Sequence, residues 1–120
     1  MAEATKTFLA IYLGSPAAME AWRTKPEGER KDLQAKGMVA WKAWADKHKD
    51  AIAAGGAPLG KTTRVTAGGV ADVRNAMAAY TIVRADSHEA AATVFKDHPH
   101  FMMFPGEAIE VMECLAIPGM

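Results

Sequence analysis

Trp41, Trp44 and His48 are the first residues in this chain whose types and spacing suggest chemistry. They follow each other at steps of three and four residues, which stacks their side chains on one face of a predicted helix. Two indole rings beside an imidazole can line a pocket for a planar molecule, and the histidine can act as a general base. A packed core with a hydrogen-bonded histidine produces the same pattern and is the more frequent arrangement. Asp46 and Asp50 point to other faces, so the sequence names no residue that would orient His48.

The second group is His98-Pro99-His100, which places two imidazoles close together before Phe101. In an extended segment residues two apart face the same way, so a third ligand such as Glu107 would complete a zinc site. An isolated pair of histidines is a weak metal signal, and histidines in solvent or at the edge of a pocket are the favoured interpretation. We therefore expect no metal. The predicted ligand-binding residues are Tyr12, Trp41, Trp44, His98, His100 and Phe101, and His48 is the candidate catalytic residue.

The segment from Gly55 to Thr62 satisfies the phosphate-binding pattern G-x-x-x-x-G-K-[ST]. A true phosphate-binding loop follows a strand and opens a helix, because the free N–H groups of the helix N-terminus hold the phosphates. Here the segment follows a predicted helix, whose partly negative C-terminal end would repel phosphate, and Lys61 begins a predicted strand. Gly55 and Gly56 are therefore interpreted as a turn that ends the helix. Neither a nucleotide nor another cofactor is expected.

Hydrophobic periodicity and turn residues predict the elements that would position these groups. The predicted strands cover residues 7–13, 61–66, 77–84 and 108–117, and the predicted helices cover residues 17–24, 29–54 and 88–96. With the first two helical segments taken together, the order is strand, helix, strand, strand, helix, strand. This order is typical of ferredoxin-like βαββαβ folds. We expect an α+β domain with a four-stranded antiparallel sheet and its helices on one face.

The first predicted strand is apolar on both of its faces. Its alternating sides carry Phe8, Ala10 and Tyr12 on one face and Leu9, Ile11 and Leu13 on the other. The last predicted strand has the same character, and its Cys114 is expected in the core. Two helical segments can cover only one face of such a sheet, so the second face needs another cover. We expect a homodimer whose sheets pack face to face.

Length and composition indicate one globular domain over residues 1–120, with 50% of the residues hydrophobic and 23% charged. The formal net charge of +0 provides no basic surface for nucleic acid or an anionic membrane, and neither is expected as a partner. No apolar run approaches the length of a membrane span. Cys114 is the single cysteine, so an intrachain disulfide is excluded and a reducing, cytoplasmic location is expected.

Several strings in the chain match a known pattern. They are Ala54-Gly55-Gly56-Ala57-Pro58-Leu59 after the long helix, Tyr80-Thr81-Ile82-Val83-Arg84-Ala85-Asp86-Ser87-His88-Glu89-Ala90 from the third strand into the next helix, His98-Pro99, and Ala108-Ile109-Glu110-Val111 in the last strand. Together with the order of elements, they resemble the YCII-related domain family of small bacterial proteins. The resemblance implies a ferredoxin-like domain that dimerises through its sheets into a dimeric α+β barrel.

Several members of that family carry a histidine on the first long helix and an aspartate in the following turn, suggested as a catalytic pair. A related enzyme removes chloride from a hydroxylated aromatic. In this chain the matching positions lie near Ala43 and Trp44 and at Gly56 or Ala57. The resemblance therefore carries the fold and assigns no catalytic role to His48.

Three hypotheses about function follow. The leading one is a homodimer that binds a small aromatic or otherwise planar molecule in an apolar pocket lined by tryptophan and histidine. The second is a cofactor-free lyase or isomerase acting on a small aromatic or planar substrate, with His48, or His98 together with His100, as the general base. The third is a structural or interaction dimer without a ligand.

Overall fold

In the computed structural model, residues 5–101 and 106–119 are described, and they alternate strands with helices. In chain order the elements are β1 (Lys6–Leu13), α1 (Pro16–Arg23), α2 (Glu27–Lys47), β2 (Ile52–Pro58), β3 (Thr62–Thr66), β4 (Gly69–Val73), β5 (Met77–Ala85), α3 (His88–Val94), a 3₁₀ turn (Pro99–Phe101) and β6 (Ala108–Glu113). No helix within these described ranges has both the length and the apolar character needed to cross a membrane.

The main sheet has four strands in the order β2-β5-β1-β6, and every neighbouring pair is antiparallel. Strands β1, β2, β5 and β6 with the helices between them form the βαββαβ unit, so the predicted α+β, ferredoxin-like architecture is confirmed. Strands β3 and β4 form a separate two-stranded sheet, inserted between β2 and β5. We call this insertion the β3–β4 hairpin.

The prediction that α2 runs to residue 54 is wrong. The helix ends at Lys47, and His48 leaves the helical conformation while its backbone N–H still donates to the carbonyl of Trp44. The backbone N–H groups of Ala51 and Ile52 both donate to the carbonyl of His48, at 2.8 and 3.1 Å, which closes a tight turn. The chain then enters β2, whose alanines and glycines carry little strand propensity. Pairing with β5 is what makes this segment a strand.

The predicted second strand, residues 61–66, corresponds to β3 but does not join the main sheet. Its partner is β4, from which it is separated by only two residues, and Val65 lies directly opposite Val70. The segment 67–75, which lies between two predicted strands and has no predicted element, therefore contains a strand. A nearby partner satisfies the backbone groups of β3, so the main sheet takes its edge strand from the Gly55-Gly56 segment instead.

The core lies between the helices and one face of the sheet. Phe8, Ala10 and Tyr12 of β1 share this face, as their predicted alternation requires, and are fully buried, and Val83 of β5 lies beside Phe8. The helices contribute the other side of the core with Trp44, Ala91 and Phe95. Burial of a large apolar side chain stabilises the fold by about 1.5–3 kcal/mol, so these residues hold the helical layer on the sheet.

The opposite face of the sheet, which we call the outer face, is largely apolar as well, although the register also places Glu110 beside Ile11 and Arg84 beside Thr7 on it. It carries Leu9, Ile11, Leu13, Ile82 and Met112, which the strand register places on one side of the sheet. In the single chain these side chains are half-buried or exposed. The molecule is only 18 Å thick in its shortest dimension, which is about one sheet plus one layer of helices. Nothing in the described part of the chain covers the outer face.

The last strand is shorter than predicted, and Cys114 is exposed rather than part of the core. The backbone N–H of Cys114 donates to the carbonyl of Thr7 at 2.8 Å, close to the beginning of β1. Beyond that point β1 offers no further backbone partner, so residues 115–117 leave the sheet. We call residues 114–119 the C-terminal segment. It exposes Leu115 and Ile117.

Candidate functional site

Aromatic and imidazole rings from three elements meet around Tyr12. The Tyr12 ring lies 4.9 Å from the ring of Trp41, 4.9 Å from that of His98 and 5.3 Å from that of His100. His98 is wedged between two indoles, with its ring centre 4.4 Å from those of both Trp41 and Trp44. Strand β1 supplies the tyrosine, α2 the tryptophans and the 3₁₀ turn region the histidines. Five of the six residues predicted to bind a ligand therefore lie together in the structure.

An apolar cavity of about 320 Å³ opens beside this cluster. It lies between the helices and the edge of the sheet formed by β2 and β5. Its lining residues are Tyr12, Met19, Met38, Trp41, Gly55, Gly56, Ala57, Pro58, Ala78, Ala79, Tyr80 and His100. Two of these, Met19 and Met38, are partly exposed on the helical side, where flexible side chains can adapt to a bound molecule.

A chain of buried hydrogen bonds runs behind the cavity. The hydroxyl of Tyr12 lies 3.3 Å from Nε2 of His98 and 2.9 Å from Oγ1 of Thr81. Thr81 Oγ1 in turn donates to the carbonyl of Gly55 at 3.3 Å. The hydroxyl of Thr81 donates its proton to that carbonyl, so it accepts a hydrogen bond from the hydroxyl of Tyr12. The hydroxyl of Tyr12 in turn accepts a hydrogen bond from the N–H of His98. It therefore both donates and accepts within the protein.

Burial keeps both ionisable members of this chain uncharged at neutral pH. The pKa of His98 falls to about 3, mainly because burial disfavours the imidazolium and further because positive charge on His100 or His48 would oppose it. Burial raises the pKa of Tyr12 to about 12, partly offset by its hydrogen bond with Thr81. The wall of the cavity is therefore neutral, which suits a ligand that is itself largely apolar.

His100 is the histidine that reaches the cavity. Its Nε2 donates to the carbonyl of Leu13 at 2.9 Å, which fixes the ring against the end of β1. Burial lowers the pKa of His100, while hydrogen bonding to the carbonyls of Leu13 and Ala108 opposes that shift. A Cβ atom at Gly106 would overlap the backbone carbonyl and ring of His100. Glycine at this position is what allows the ring to lie so close to the backbone before β6.

The remaining predicted site residues lie away from the cavity. Trp44 is packed in the core, and its Nε1–H donates to the carbonyl of Val94 at 2.9 Å. His48 follows the last residue of α2, with its ring centre 5.3 Å from that of Trp44, and it does not line the cavity. Phe101 is largely exposed, with its ring centre 5.7 Å from that of His100. Burial lowers the pKa of His48, and the positive charge of Lys47 lowers it further.

The zinc alternative finds no support in the arrangement of the histidines. Nδ1 of His98 accepts the backbone N–H of His100, and its Nε2 is directed at Tyr12. Nε2 of His100 is used on the carbonyl of Leu13. Within residues 5–101 and 106–119, no three histidine, cysteine or acidic side chains are placed to hold a metal ion.

Sequence reasoning missed the sheet side of the cavity. Its wall is the irregular part of β2, where the register against β5 shifts between Ile52 and Ala54 and again between Ala54 and Ala57. Gly56 in this wall has a φ of +74°, and a Cβ there would overlap the carbonyl of Tyr80. Glycines that interrupt a strand typically mark such bulges, and bulges are frequent beside binding sites. The match to a phosphate-binding pattern hid this signal.

The structure also places the phosphate-binding pattern in a context unlike that of a nucleotide site. Gly55 and Gly56 lie within β2, Lys61 precedes β3, and no helix follows. The Nζ atom of Lys61 lies 3.1 Å from a carboxylate oxygen of Asp72 across the base of the hairpin. The segment thus lacks the helix N-terminus that would hold phosphate groups.

Comparison with known proteins supports the fold. No protein-family model matches the chain, and no curated protein matches it in sequence. Among solved structures, the chain is similar to 5-chloro-2-hydroxyhydroquinone dehydrochlorinase from Burkholderia phenoliruptrix in complex with 2,5-dihydroxybenzoquinone. The TM-score is 0.51 and the sequence identity 17%, over 88% of this chain and 89% of the other. At this identity the likeness concerns the fold alone, and the chain shares the α+β, ferredoxin-like architecture of that protein.

Proposed function

We propose that this protein binds a small, planar, largely apolar molecule in the cavity beside Trp41. The observation that carries the proposal is the cavity itself, with the rings of Trp41 and Tyr12 in its wall and the imidazole of His100 as a polar group. Aromatic walls with few polar groups are characteristic of small-molecule sites. His98 and Trp44 act from behind the cavity by holding Tyr12 and Trp41 in place.

The size of the cavity supports a ligand with one or two rings. Its volume of about 320 Å³ lies at the lower end of the range for ligand pockets. It is about twice the volume of an engineered cavity of about 150 Å³ that accommodates benzene. The structural neighbour was solved with a compound of this class, 2,5-dihydroxybenzoquinone, which makes that compound a suitable first probe.

Isothermal titration calorimetry with 2,5-dihydroxybenzoquinone and a series of simple phenols tests the proposal. We expect saturable binding by at least one of them, and a Trp41→Leu variant that binds it about fivefold more weakly, since an aromatic contact is worth about 1 kcal/mol. Trp22→Leu is the matched control, because Trp22 lies on α1 and does not line the cavity. Binding that is unchanged by Trp41→Leu, or no binding by any planar probe, would rule the site out.

A second candidate, catalysis by a histidine base, is supported by the position of His100. Its lowered pKa leaves the ring neutral at neutral pH, and because Nε2 donates to the carbonyl of Leu13, Nδ1 is the atom that would accept a proton from a molecule in the cavity. If the protein is an enzyme, His100 is the base we propose, held by the carbonyl of Leu13. His48 as a base stays a prediction. A pH profile of turnover that persists in His100→Gln would exclude His100 from this role.

We further propose that the protein is a member of the YCII-related family and a cytoplasmic homodimer that pairs through its outer faces. The matched strings and the fold support the family, and the apolar outer face supports the dimer. An apolar face of this kind is usually covered by another chain. Sedimentation velocity gives the direct answer, and a purely monomeric protein across the micromolar range would exclude the dimer.

A further inference from the structure

The β3–β4 hairpin is left without a cover in the single chain. Val65 and Val70 lie directly opposite each other on one face of it, and they are 74% and 69% exposed. An isolated two-stranded hairpin is at best marginally stable in water. The hairpin also extends the molecule, since the Cα radius of gyration is 16.5 Å. A compact domain of this length would have a radius of gyration of about 13–14 Å.

The C-terminal segment is a second uncovered apolar element. Leu115 is 76% exposed and Ile117 is 63% exposed, just beyond the end of β6. The sheet order places β2 and β6 at opposite edges. The hairpin leaves the sheet where β2 ends and β5 begins, at the Leu13 end of β1, whereas the C-terminal segment leaves at the Lys6 end. The two elements therefore lie at diagonally opposite corners of the sheet.

Neither element carries a net charge. The β3–β4 hairpin contains Arg64 and Asp72, and the C-terminal segment contains no lysine, arginine, aspartate or glutamate. A contact between the two would therefore be apolar, and it would bury no unpaired charge of the C-terminal segment.

From these observations we propose that the β3–β4 hairpin of one protomer is an arm that packs on the C-terminal segment of a second copy of the chain. The proposal rests on the homodimer proposed above and goes beyond it by assigning the arm and its docking surface. Consider a two-fold axis that is parallel to the sheet and runs along the diagonal that does not pass through the arm and the C-terminal segment. Rotation about this axis brings the outer faces of the two protomers together. The same axis places each arm over the partner's C-terminal segment, so the contact is made twice. The strands of the two sheets then cross at a large angle, as in orthogonal sheet packing.

The outer face alone is smaller than a standard protein interface, so an additional contact such as the arms is needed. A face four strands wide and about 25 Å long covers about 500 Å² at the usual strand spacing. A standard interface buries about 800 Å² on each partner. An arm two strands wide and about 17 Å long buries roughly 150 Å² of its own surface. The partner's arm buries about the same area on the surface of the protomer that receives it. Face and arms together reach the size of a stable interface.

Disulfide trapping with the natural Cys114 tests the contact, because this cysteine begins the C-terminal segment and is exposed. In Val65→Cys, mild oxidation should link the arm to Cys114 of the partner subunit and give a covalent dimer on a non-reducing gel. Arg64→Cys is the matched control, since Arg64 points to the other face of the hairpin. We expect the dimer to form about tenfold faster in Val65→Cys, because a disulfide needs Cα atoms within about 7 Å.

Two further measurements make the outcome decisive. The cross-link should disappear in Val65→Cys with Cys114→Ser, and its persistence there would mean that arms meet each other, which overturns the proposal. Equal rates for Val65→Cys and Arg64→Cys would also overturn it. If sedimentation shows the unmodified protein to be dimeric while Val65→Cys forms no cross-link, the proposed arm contact is wrong and the proposed homodimer stands. If the unmodified protein is monomeric, the arm contact and the homodimer are both wrong.

Discussion

The backbone N–H of His100 donates a hydrogen bond to Nδ1 of His98 at 2.9 Å. An N–H can only donate, so Nδ1 of His98 carries a lone pair and the proton of the neutral ring resides on Nε2. That proton points at the hydroxyl of Tyr12, 3.3 Å away. One backbone bond in the 3₁₀ turn therefore sets the direction of the hydrogen bonds from His98 through Tyr12 and Thr81 to the carbonyl of Gly55. It connects the turn to the bulged wall of the cavity.

This neutral imidazole makes stability depend on pH. The pKa of His98 is about 3 in the folded protein and about 6.5 in the unfolded chain, so between these values only the unfolded state binds the proton. The free energy of unfolding should therefore fall as pH drops from 6.5 toward 3, by about 1.4 kcal/mol per pH unit from this residue. Urea unfolding between pH 4.5 and 7 measures the slope. His98→Gln should flatten it by that amount, and His48→Gln should change it much less, because His48 is only partly buried. A slope that His98→Gln leaves unchanged would contradict the assignment, whereas a smaller residual slope is expected from His100, whose pKa is also lowered by burial.

The hydroxyl of Tyr12 should be coupled energetically to Thr81. Tyr12→Phe leaves the N–H of His98 without its acceptor, and Thr81→Val leaves the Tyr12 proton and the carbonyl of Gly55 without theirs. Each variant should lose about 1–3 kcal/mol of stability, and the double variant should lose clearly less than their sum. Tyr80→Phe is the control, since its hydroxyl makes no hydrogen bond within the described residues, and it should stay within about 0.5 kcal/mol of the unmodified protein. Additive losses in the cycle would mean that the two hydroxyls act separately.

Two adjacent glycines in β2 should differ sharply in their tolerance of a methyl group. At Gly56 the φ of +74° and the overlap of a Cβ with the carbonyl of Tyr80 predict that Gly56→Ala costs about 2 kcal/mol or more. At Gly55 a Cβ would meet no atom within 4 Å, so Gly55→Ala should cost less than about 1 kcal/mol. Thermal unfolding of the two variants side by side provides the comparison. Equal losses would show that the bulge does not depend on Gly56.

A charge on the outer face should separate the protomers. Ile11 lies in the middle of that face, and Ile11→Asp would bury a carboxylate between the two sheets of the proposed dimer. We expect a monomer at concentrations where the unmodified protein is dimeric, with unchanged circular dichroism. Val39→Asp supplies the control, because Val39 is 72% exposed on the helical side. Dissociation by Val39→Asp and not by Ile11→Asp would move the interface to the helices.

The fold was accessible from sequence because its signals are local. Alternation in β1 grouped Phe8, Ala10 and Tyr12 on one face, which the structure shows to be the face covered by the helices, and the helical spacing of Trp41 and Trp44 identified the side of α2 that meets the sheet. The predicted start of a helix at residue 88 agrees with α3, which Ser87 caps by accepting the N–H of Ala90 with its side chain. The assignment of β2 failed, because an edge strand of alanine and glycine has no pattern of its own.

Some residues of the candidate site were predicted from the sequence, and its sheet side and its arrangement were not. Residue types and spacing brought Tyr12, Trp41, His98 and His100 forward, since aromatic rings and imidazoles at such positions are informative whatever the fold. By itself the sequence thus determined the α+β class, the two apolar faces of the first strand and the residues that meet around Tyr12. Only the tertiary structure decided that His100 faces the cavity while His98 lies behind it. That difference depends on the 3₁₀ turn, on the carbonyl of Leu13 and on the bulge at Gly56, which are contacts between segments far apart in the chain.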